Sequence, residues 1–414
     1  LLFCVNHDIL AAMDPRLEEP KYRWYILALA ALTNTLVVAA PSMCLPVLFK
    51  EISTDLHLDL VQLGVIWGIG SLPGIVTVLV GGAIGDRFGP KRILTISCLL
   101  VGLTGALRGL ANDFVSLAAT IFLLGFLAPA VSMNTLKACG VWFSRRQLGL
   151  ASGFLSMGMA LGFMTGSLIS ATLLSPWLGG WRNVLFFYGI IGMVLCIPWY
   201  FARSGPLHTA HVSAPQKSMR EALSHVAQIK DVWWWGLVIL GFGGCVQGVL
   251  GYLPLYLRGQ GWAPASADSA LTAFHTISMI CVIPMALGSD RLGSRRKVLT
   301  MATLMMLLGI GLLSVVSGAG VWLAVCIAGM VRDGFMAVFM TSIIETEGVG
   351  VAYAGTATGL VMVFSGIGSL LAPPLGNSLA GLAPGLPFIF WASMTLLALL
   401  GIYATGKKKV KTLI

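Results

Sequence analysis

Charge is what this 414-residue chain has least of. Asp, Glu, Lys and Arg together make up 10% of it, where a water-soluble domain carries about 25%. So few charged side chains cannot cover a solvated surface, which excludes an ordinary soluble globular protein and leaves lipid to cover the exterior. The eight cysteines include no C-x-x-C pair. All except Cys4 lie in apolar stretches, so they read as small buried hydrophobes rather than metal ligands or disulfide partners. The sequence also has no phosphate-binding glycine loop, no catalytic-triad pattern and no appended soluble domain. No catalytic residue, metal or cofactor is therefore expected, and an enzyme is not the reading.

What is present is apolar length. Hydrophobic residues make up 57% of the chain and the mean hydropathy is +0.89. The opening LLFCVNHDILAA resembles a weak signal-peptide core, yet it contains Asp8 and lacks a basic leader. Met13 is the expected start, and the first twelve residues are set aside. Apolar runs of spanning length, about 20 residues, follow one another with short polar breaks. Six are read at 24–49, 60–84, 93–107, 114–143, 148–174 and 184–201, and six more at 232–256, 271–287, 298–316, 321–344, 352–375 and 386–403. They must be helical, because hydrocarbon offers no partner to a free backbone amide. The longest polar stretch, 202–231, divides them six and six. The expected organisation is an N-terminal segment 1–22, a six-helix bundle 23–201, a linker 202–231, a second bundle 232–404 and a basic tail 405–414. The fold class is all-α integral membrane.

The net charge of +10 could suggest nucleic acid, but its placement argues otherwise. Of the 26 Lys and Arg residues, twenty fall on the side of both termini, and four (Lys50, Arg108, Arg182 and Arg258) fall at the opposite edge. By the positive-inside bias both termini are cytoplasmic. The basic charge is topology, and no nucleic-acid partner is expected. Trp233, Trp234 and Trp235, where the seventh span enters, read as an interfacial belt. Lys137 and Arg332 remain inside spans.

Two loops repeat. GGAIGDRFGPKRIL follows the second span and LGSDRLGSRRKVL follows the eighth, which sets Asp86-Arg87-x-Gly89 against Asp290-Arg291-x-Gly293 at an offset of 204 residues. GLASGF at 149–154 and GTATGL at 355–360 match at an offset of 206. Internal repeats at equivalent places in two halves are a transporter signature. On these residues the chain resembles the major facilitator superfamily over essentially its whole length. The G-x-x-x-D-R-x-G-x-[RK]-[RK] loop, here Gly82, Asp86, Arg87, Gly89, Lys91 and Arg92, is that family's most recognisable motif, with Asp290, Arg291, Gly293, Arg295 and Arg296 as its second copy. The resemblance implies twelve transmembrane helices in two pseudo-symmetric bundles. It also implies that the two loops latch the cytoplasmic side in the outward-open state, with Glu345 and Glu347 as the expected partners of Arg295 and Arg296. The alternative is that these charges only anchor topology. The chain departs from the family pattern in the fourth span, where Ile121 stands in place of an Arg four residues before Gly125. In the fifth span Gly158, Gly162 and Gly166 recur every four residues without a Gly-Pro pair. That spacing reads as close helix packing.

Ionisable groups inside a span mark function by default. Arg332 lies about 16 Å into the tenth span at 1.5 Å per residue, too deep to reach the interface. Asp333 is its neighbour, but consecutive helix positions point about 100° apart, so separate partners are expected. Lys137 is about two turns from the cytoplasmic boundary and could snorkel instead; Asn134 shares its face. In the resembled fold the first, fourth, seventh and tenth spans line a central cavity. Arg332, Lys137, Asn134, Asn34 and Gln247 are therefore the candidate substrate contacts, and Asp333 and His275 the candidate proton-coupling groups. Two deep cations with one deep acid favour an anion, and the guanidinium fork suits a carboxylate. The reading is proton-coupled movement of a small organic anion, such as a monocarboxylate, by alternating access, in a monomer of the cell inner membrane. The alternatives are an exporter of hydrophobic cations, with Asp333 reading charge, and more remotely a non-transporting sensor.

Overall fold

A computed structural model describes residues 21–74, 77, 88–203 and 219–405. Among the described residues there is no strand, and there are twelve principal helices and one short connecting helix. The first six are Tyr22–Leu56, Leu60–Gly74, Pro90–Leu110, Phe114–Trp142, Gln147–Leu178 and Trp181–Phe201. The connecting helix is Met219–Ala227. The last six are Lys230–Gly259, Pro264–Leu292, Arg295–Leu312, Ala319–Ile344, Ala352–Leu379 and Leu386–Thr405. Ten of the twelve are long and apolar enough to cross a membrane. The other two are the second, of which only part is described, and the ninth, whose first turn is Arg295-Arg296-Lys297. Leu103, Val194, Ile197, Ile283, Leu308 and Leu400 stand exposed on the outside, as lipid-facing residues of a multi-pass membrane protein do.

Helix ends are set by local chemistry. Asp59 and Asp113 each open a helix through a capping box. Asp59 Oδ1 accepts from the Gln62 backbone N–H at 2.7 Å, and Asp113 Oδ1 accepts from that of Ser116 at 2.8 Å, satisfying donors that have no intrahelical partner. The Ser116 hydroxyl and backbone N–H together hold the Asp113 carboxyl below its ordinary range. The motif glycines sit where a left-handed backbone is required. Gly89 has φ +80° and Gly293 φ +60°, conformations that a side chain would strain.

The glycines of the fifth helix pack it on the first. A methyl added at Gly158 would stand 2.8 Å from the Ala31 carbonyl, and one at Gly166 would stand 2.5 Å from that of Ala40. Facing this stripe, the first helix widens into a π-helical stretch, Asn34–Ala39. Such bulges often mark functional sites.

The two sets of six meet at one end. In the second helix, a methyl at Gly64 would lie 2.7 Å from Pro374 Cα, and one at Gly68 would lie 2.6 Å from the Leu370 carbonyl. Asn377 Nδ2 donates to the Leu60 carbonyl at 2.7 Å, Trp67 Nε1 donates to that of Gln247 at 2.7 Å, and the Ser167 and Thr272 hydroxyls bond at 2.9 Å. All five contacts lie away from the end that carries Tyr22 and Thr405. Toward that end Gly149 and Gly153 of the fifth helix, Gly288 of the eighth and Gly355 of the eleventh have nothing among the described residues within 4 Å of an added methyl. Among the described residues, the halves are sealed at one end and part toward the other.

Three expectations change. The third, seventh and eighth helices run past their expected ends, and they carry Arg108, Arg258 and Asp268 inside them. Arg258 and Asp268 form a bidentate pair at 2.8 and 2.6 Å with side chains 8% and 0% exposed, so Arg258 is not an edge charge. Trp233 and Trp234 are exposed as a belt would be, but Trp235 is buried, and its Nε1 donates to Thr346 Oγ1 at 2.9 Å.

Candidate functional site

Beneath the seal lies a cavity of about 340 Å³, within the range of small-molecule sites, walled by both halves. Its C-terminal wall presents Gln247, Leu250 and Arg332, and its N-terminal wall includes Val37, Val38, Trp67, Arg108, Ile121 and Phe163. Of the substrate contacts expected from sequence, Arg332 and Gln247 are here. Gln247 Nε2 returns a long bond, 3.4 Å, to the Trp67 carbonyl, so part of its amide is engaged in the seal.

Arg332 does not stand apart from Asp333. Its Nη1 lies 3.2 Å from Asp333 Oδ1, with side-chain exposures of 16% and 36%. The long arginine stem spans the angle between adjacent helix positions, so the expectation of separate partners fails. The Arg332 Nη1 also lies 3.3 Å from His275 Nδ1, and its Cζ stands 5.6 Å above the Phe163 ring. Phe163 and His275 lie 5.3 Å apart, centroid to centroid. The fifth helix of one half thus touches the eighth and tenth of the other around one guanidinium. His275 is 1% exposed, and its Nε2 has no partner among the described residues. The backbone N–H of Asp333 donates to Ser278 Oγ at 3.0 Å, holding the tenth helix to the eighth.

Asn34, Asn134 and Lys137 are not among the residues that line this cavity. Asn34 is buried and accepts from Thr135 Oγ1 at 3.1 Å; Asn134 Nδ2 donates to the Ala130 carbonyl at 2.8 Å. Both asparagines bond within their own half, and Lys137 is half-buried on the fourth helix.

Arg108 was not foreseen. An apolar run that ends at Leu107 leaves it at the outer edge. The helix continues through a 3₁₀ turn to Leu110, which draws Arg108 inward until it is 2% exposed and lines the cavity. Its Nε donates to the Gly105 carbonyl and its Nη1 to that of Pro41, both at 3.3 Å. No carboxylate pairs with it among the described residues. The signal available in the sequence was the break itself: the first polar pair after this span is Asn112-Asp113, beyond Arg108. Phe163 and Trp67 carried no signal beyond being aromatic in a span.

In the motif loops, Gly82, Asp86 and Arg87 lie outside the described residues. Of the second copy, Arg295 donates through Nε to Glu345 Oε2 at 2.7 Å and through Nη1 to Asp290 Oδ1 at 3.1 Å. Arg296 does not meet an acid there: its Nη2 donates to the Tyr403 carbonyl at 2.9 Å and its Cζ lies 5.5 Å from the Tyr403 ring. Glu347 is exposed, and among the described residues Arg291, Lys91 and Arg92 carry no contact into this cluster.

Among known proteins, the 3-(3-hydroxy-phenyl)propionate transporter of Escherichia coli (strain K12) is 28% identical over 80% of this chain and 83% of its own length. The probable nitrate/nitrite antiporter NarK1 of Thermus thermophilus is 26% identical over 67% of this chain. The probable galactarate/D-glucarate transporter GarP of Escherichia coli (strain K12) is 27% identical over 50%. The matches span only 64% and 48% of the length of the last two. The fold is also that of a bacterial homologue of the human lysosomal transporter Spinster in an inward-facing and occupied conformation, at TM-score 0.77 and 14% identity, covering 93% of this chain and 97% of that one. The family model of the Major Facilitator Superfamily matches residues 27–354. With twelve helices, a cavity between two sets of six and this match over most of its length, the chain belongs to the Major Facilitator Superfamily.

Proposed function

We propose that this chain is a secondary active transporter that moves a small organic anion across the cell inner membrane by alternating access. The observation that carries the reading is Arg332, a guanidinium on the wall of a cavity that is sealed at one end between the two halves. Binding there favours a carboxylate, which the guanidinium fork can hold by two parallel hydrogen bonds. The relatives named for organic acids support the same chemistry. The bundles 23–201 and 232–404 act as the rocking bodies, within one monomer surrounded by lipid. With both termini cytoplasmic, as the charge bias implies, the conformation is inward-open. The Arg295–Asp290–Glu345 cluster then stands ready as the C-terminal half of the latch. A proton carried on Asp333 is the coupling ion. The cation-exporter reading is weaker, because the carboxylate that would read a cation already faces Arg332.

The test is uptake into proteoliposomes of a radiolabelled panel of organic anions and lipophilic cations, with and without a pH gradient. Saturable uptake of an anion, accelerated by a gradient acid outside, is the expected outcome. Transport of cations alone would overturn the reading. Asp290→Asn should change transport rate while leaving equilibrium binding intact. An unchanged rate and unchanged inward and outward populations would reduce the loop to a topology anchor.

A further inference from the structure

Resting on the anion-transport reading, we infer that the cavity has a second anion-recognition point at Arg108, and that the transported species is a dianion with two carboxylates at opposite ends of an apolar spacer. This departs from the expectation of a single carboxylate.

The argument starts from what each buried arginine already has. A guanidinium removed from water is costly unless it is paired and fully hydrogen-bonded. Arg258 satisfies this with a bidentate Asp268, and Arg332 does so in part with Asp333 at 3.2 Å. Arg108 is 2% exposed and, among the described residues, holds only two long backbone bonds, to the Gly105 and Pro41 carbonyls at 3.3 Å. Carbonyl dipoles position a guanidinium without neutralising it. Two of its five N–H groups are committed this way, and the fork geometry leaves donors for a carboxylate.

Placement makes this a recognition point rather than a structural remnant. Arg108 and Arg332 line one continuous cavity from opposite halves. The rest of the lining is mainly apolar and includes Val37, Val38, Ile121, Leu124 and Leu250. Cations at two places on the wall of a mainly apolar cavity match an anion charged at both ends. A monoanion held at Arg332 would leave Arg108 buried with its charge uncompensated by any carboxylate among the described residues. Because the two arginines belong to different halves, a two-ended ligand also ties the halves together in a way a one-ended ligand cannot.

The experiment measures binding to the purified full-length chain by thermal shift and calorimetry. The probes are succinate, glutarate and adipate, against butyrate, valerate and hexanoate. Wild type should bind at least one diacid ten or more times tighter than the monoacid of matched length. Arg108→Gln should bring the diacid down to the monoacid level and leave the monoacid within about twofold. Arg332→Gln should weaken both. Arg108→Lys, which keeps the charge, should retain part of the diacid preference. Monoacids bound as tightly as diacids by wild type would overturn the inference while leaving anion transport standing, and so would equal losses for both classes in Arg108→Gln. Stabilisation by no anion at all, with lipophilic cations effective, would overturn the transport reading as well. Should Arg108→Gln not fold, the wild-type ratio and Arg108→Lys still decide: a ratio near one overturns the inference. A ratio above ten that falls in Arg108→Lys supports it.

Discussion

The two cavity arginines differ in a way their positions alone would not suggest. Arg332 sits mid-membrane in the tenth helix and looks from sequence like the principal positive charge, yet it lies beside Asp333 and faces His275 and the ring of Phe163. Arg108 sits at the end of the third helix and looks like a boundary charge, yet it is almost completely buried with carbonyls as its only hydrogen-bond partners among the described residues. Depth in the membrane therefore does not rank the electrostatic pull of a side chain; compensation does. The net positive charge of the cavity resides mostly on the N-terminal wall. The C-terminal wall carries Arg332, whose carboxylate partner Asp333 is the one an anion would replace on the proposed reading.

The sharpest way to break this contrast is to remove Arg332. Arg332→Ala should cost about 2–5 kcal/mol of anion binding, the range for truncating one partner of a buried charge pair, and it leaves Asp333 facing the site uncompensated. Arg332→Lys should keep weak binding, since an ammonium lacks the planar fork. Calorimetry on folded protein, with melting temperature recorded alongside, separates binding from stability. A lower melting temperature with anion binding unchanged per folded molecule would make Arg332 a structural partner of the eighth helix only.

A smaller effect is expected at Asp333. Asp333→Asn leaves Arg332 compensated only by neutral groups, as Arg108 is. Bound anion should gain about 1 kcal/mol from a guanidinium it no longer shares, near the net worth of one hydrogen bond. Anion exchange across the membrane should persist, while acceleration by a pH gradient should vanish. The groups facing this carboxylate are Arg332 on its own helix and, through Arg332, His275 on the eighth. Retained gradient dependence in proteoliposomes carrying Asp333→Asn would remove Asp333 as the proton carrier.

What the sequence made legible follows from the length scale of each signal. Apolar runs of about 20 residues and a motif repeated at an offset of 204 survive errors of a few residues, so the helices, the two sets of six and the family were all readable. The cavity was not, because its chemistry depends on span ends. Ending the third span at Leu107 put Arg108 outside, and starting the eighth at Leu271 put Asp268 in a loop. In both cases an error of a few residues turned a buried charge into a surface one. Arg332 was found because it is far from any boundary. Its pairing with Asp333 was missed because the 100° rule describes Cα–Cβ directions, and arginine is long enough to bend across them. Phe163 was invisible because its role depends on the contact of two halves, which no local pattern encodes.

The smallest expected effect separates the two groups that could carry a proton. His275 is buried, with Nδ1 3.3 Å from an Arg332 N–H and Nε2 unpartnered among the described residues. In this geometry Nδ1 can only accept, and a protonated ring would set a second cation against the guanidinium. On the proposed reading His275 aims Arg332, and the proton carrier is Asp333, whose side chain is 36% exposed. His275→Gln, which offers an amide oxygen at a similar reach, should bind anion within about 0.5 kcal/mol of wild type. His275→Leu should lose about 1 kcal/mol, the net worth of one hydrogen bond. Both variants should keep their response to a pH gradient in proteoliposomes. If His275→Gln abolishes that response while Asp333→Asn preserves it, the proton moves to the eighth helix. The contrast between the two walls would then rest on His275 and Arg108 rather than on Asp333 and Arg108.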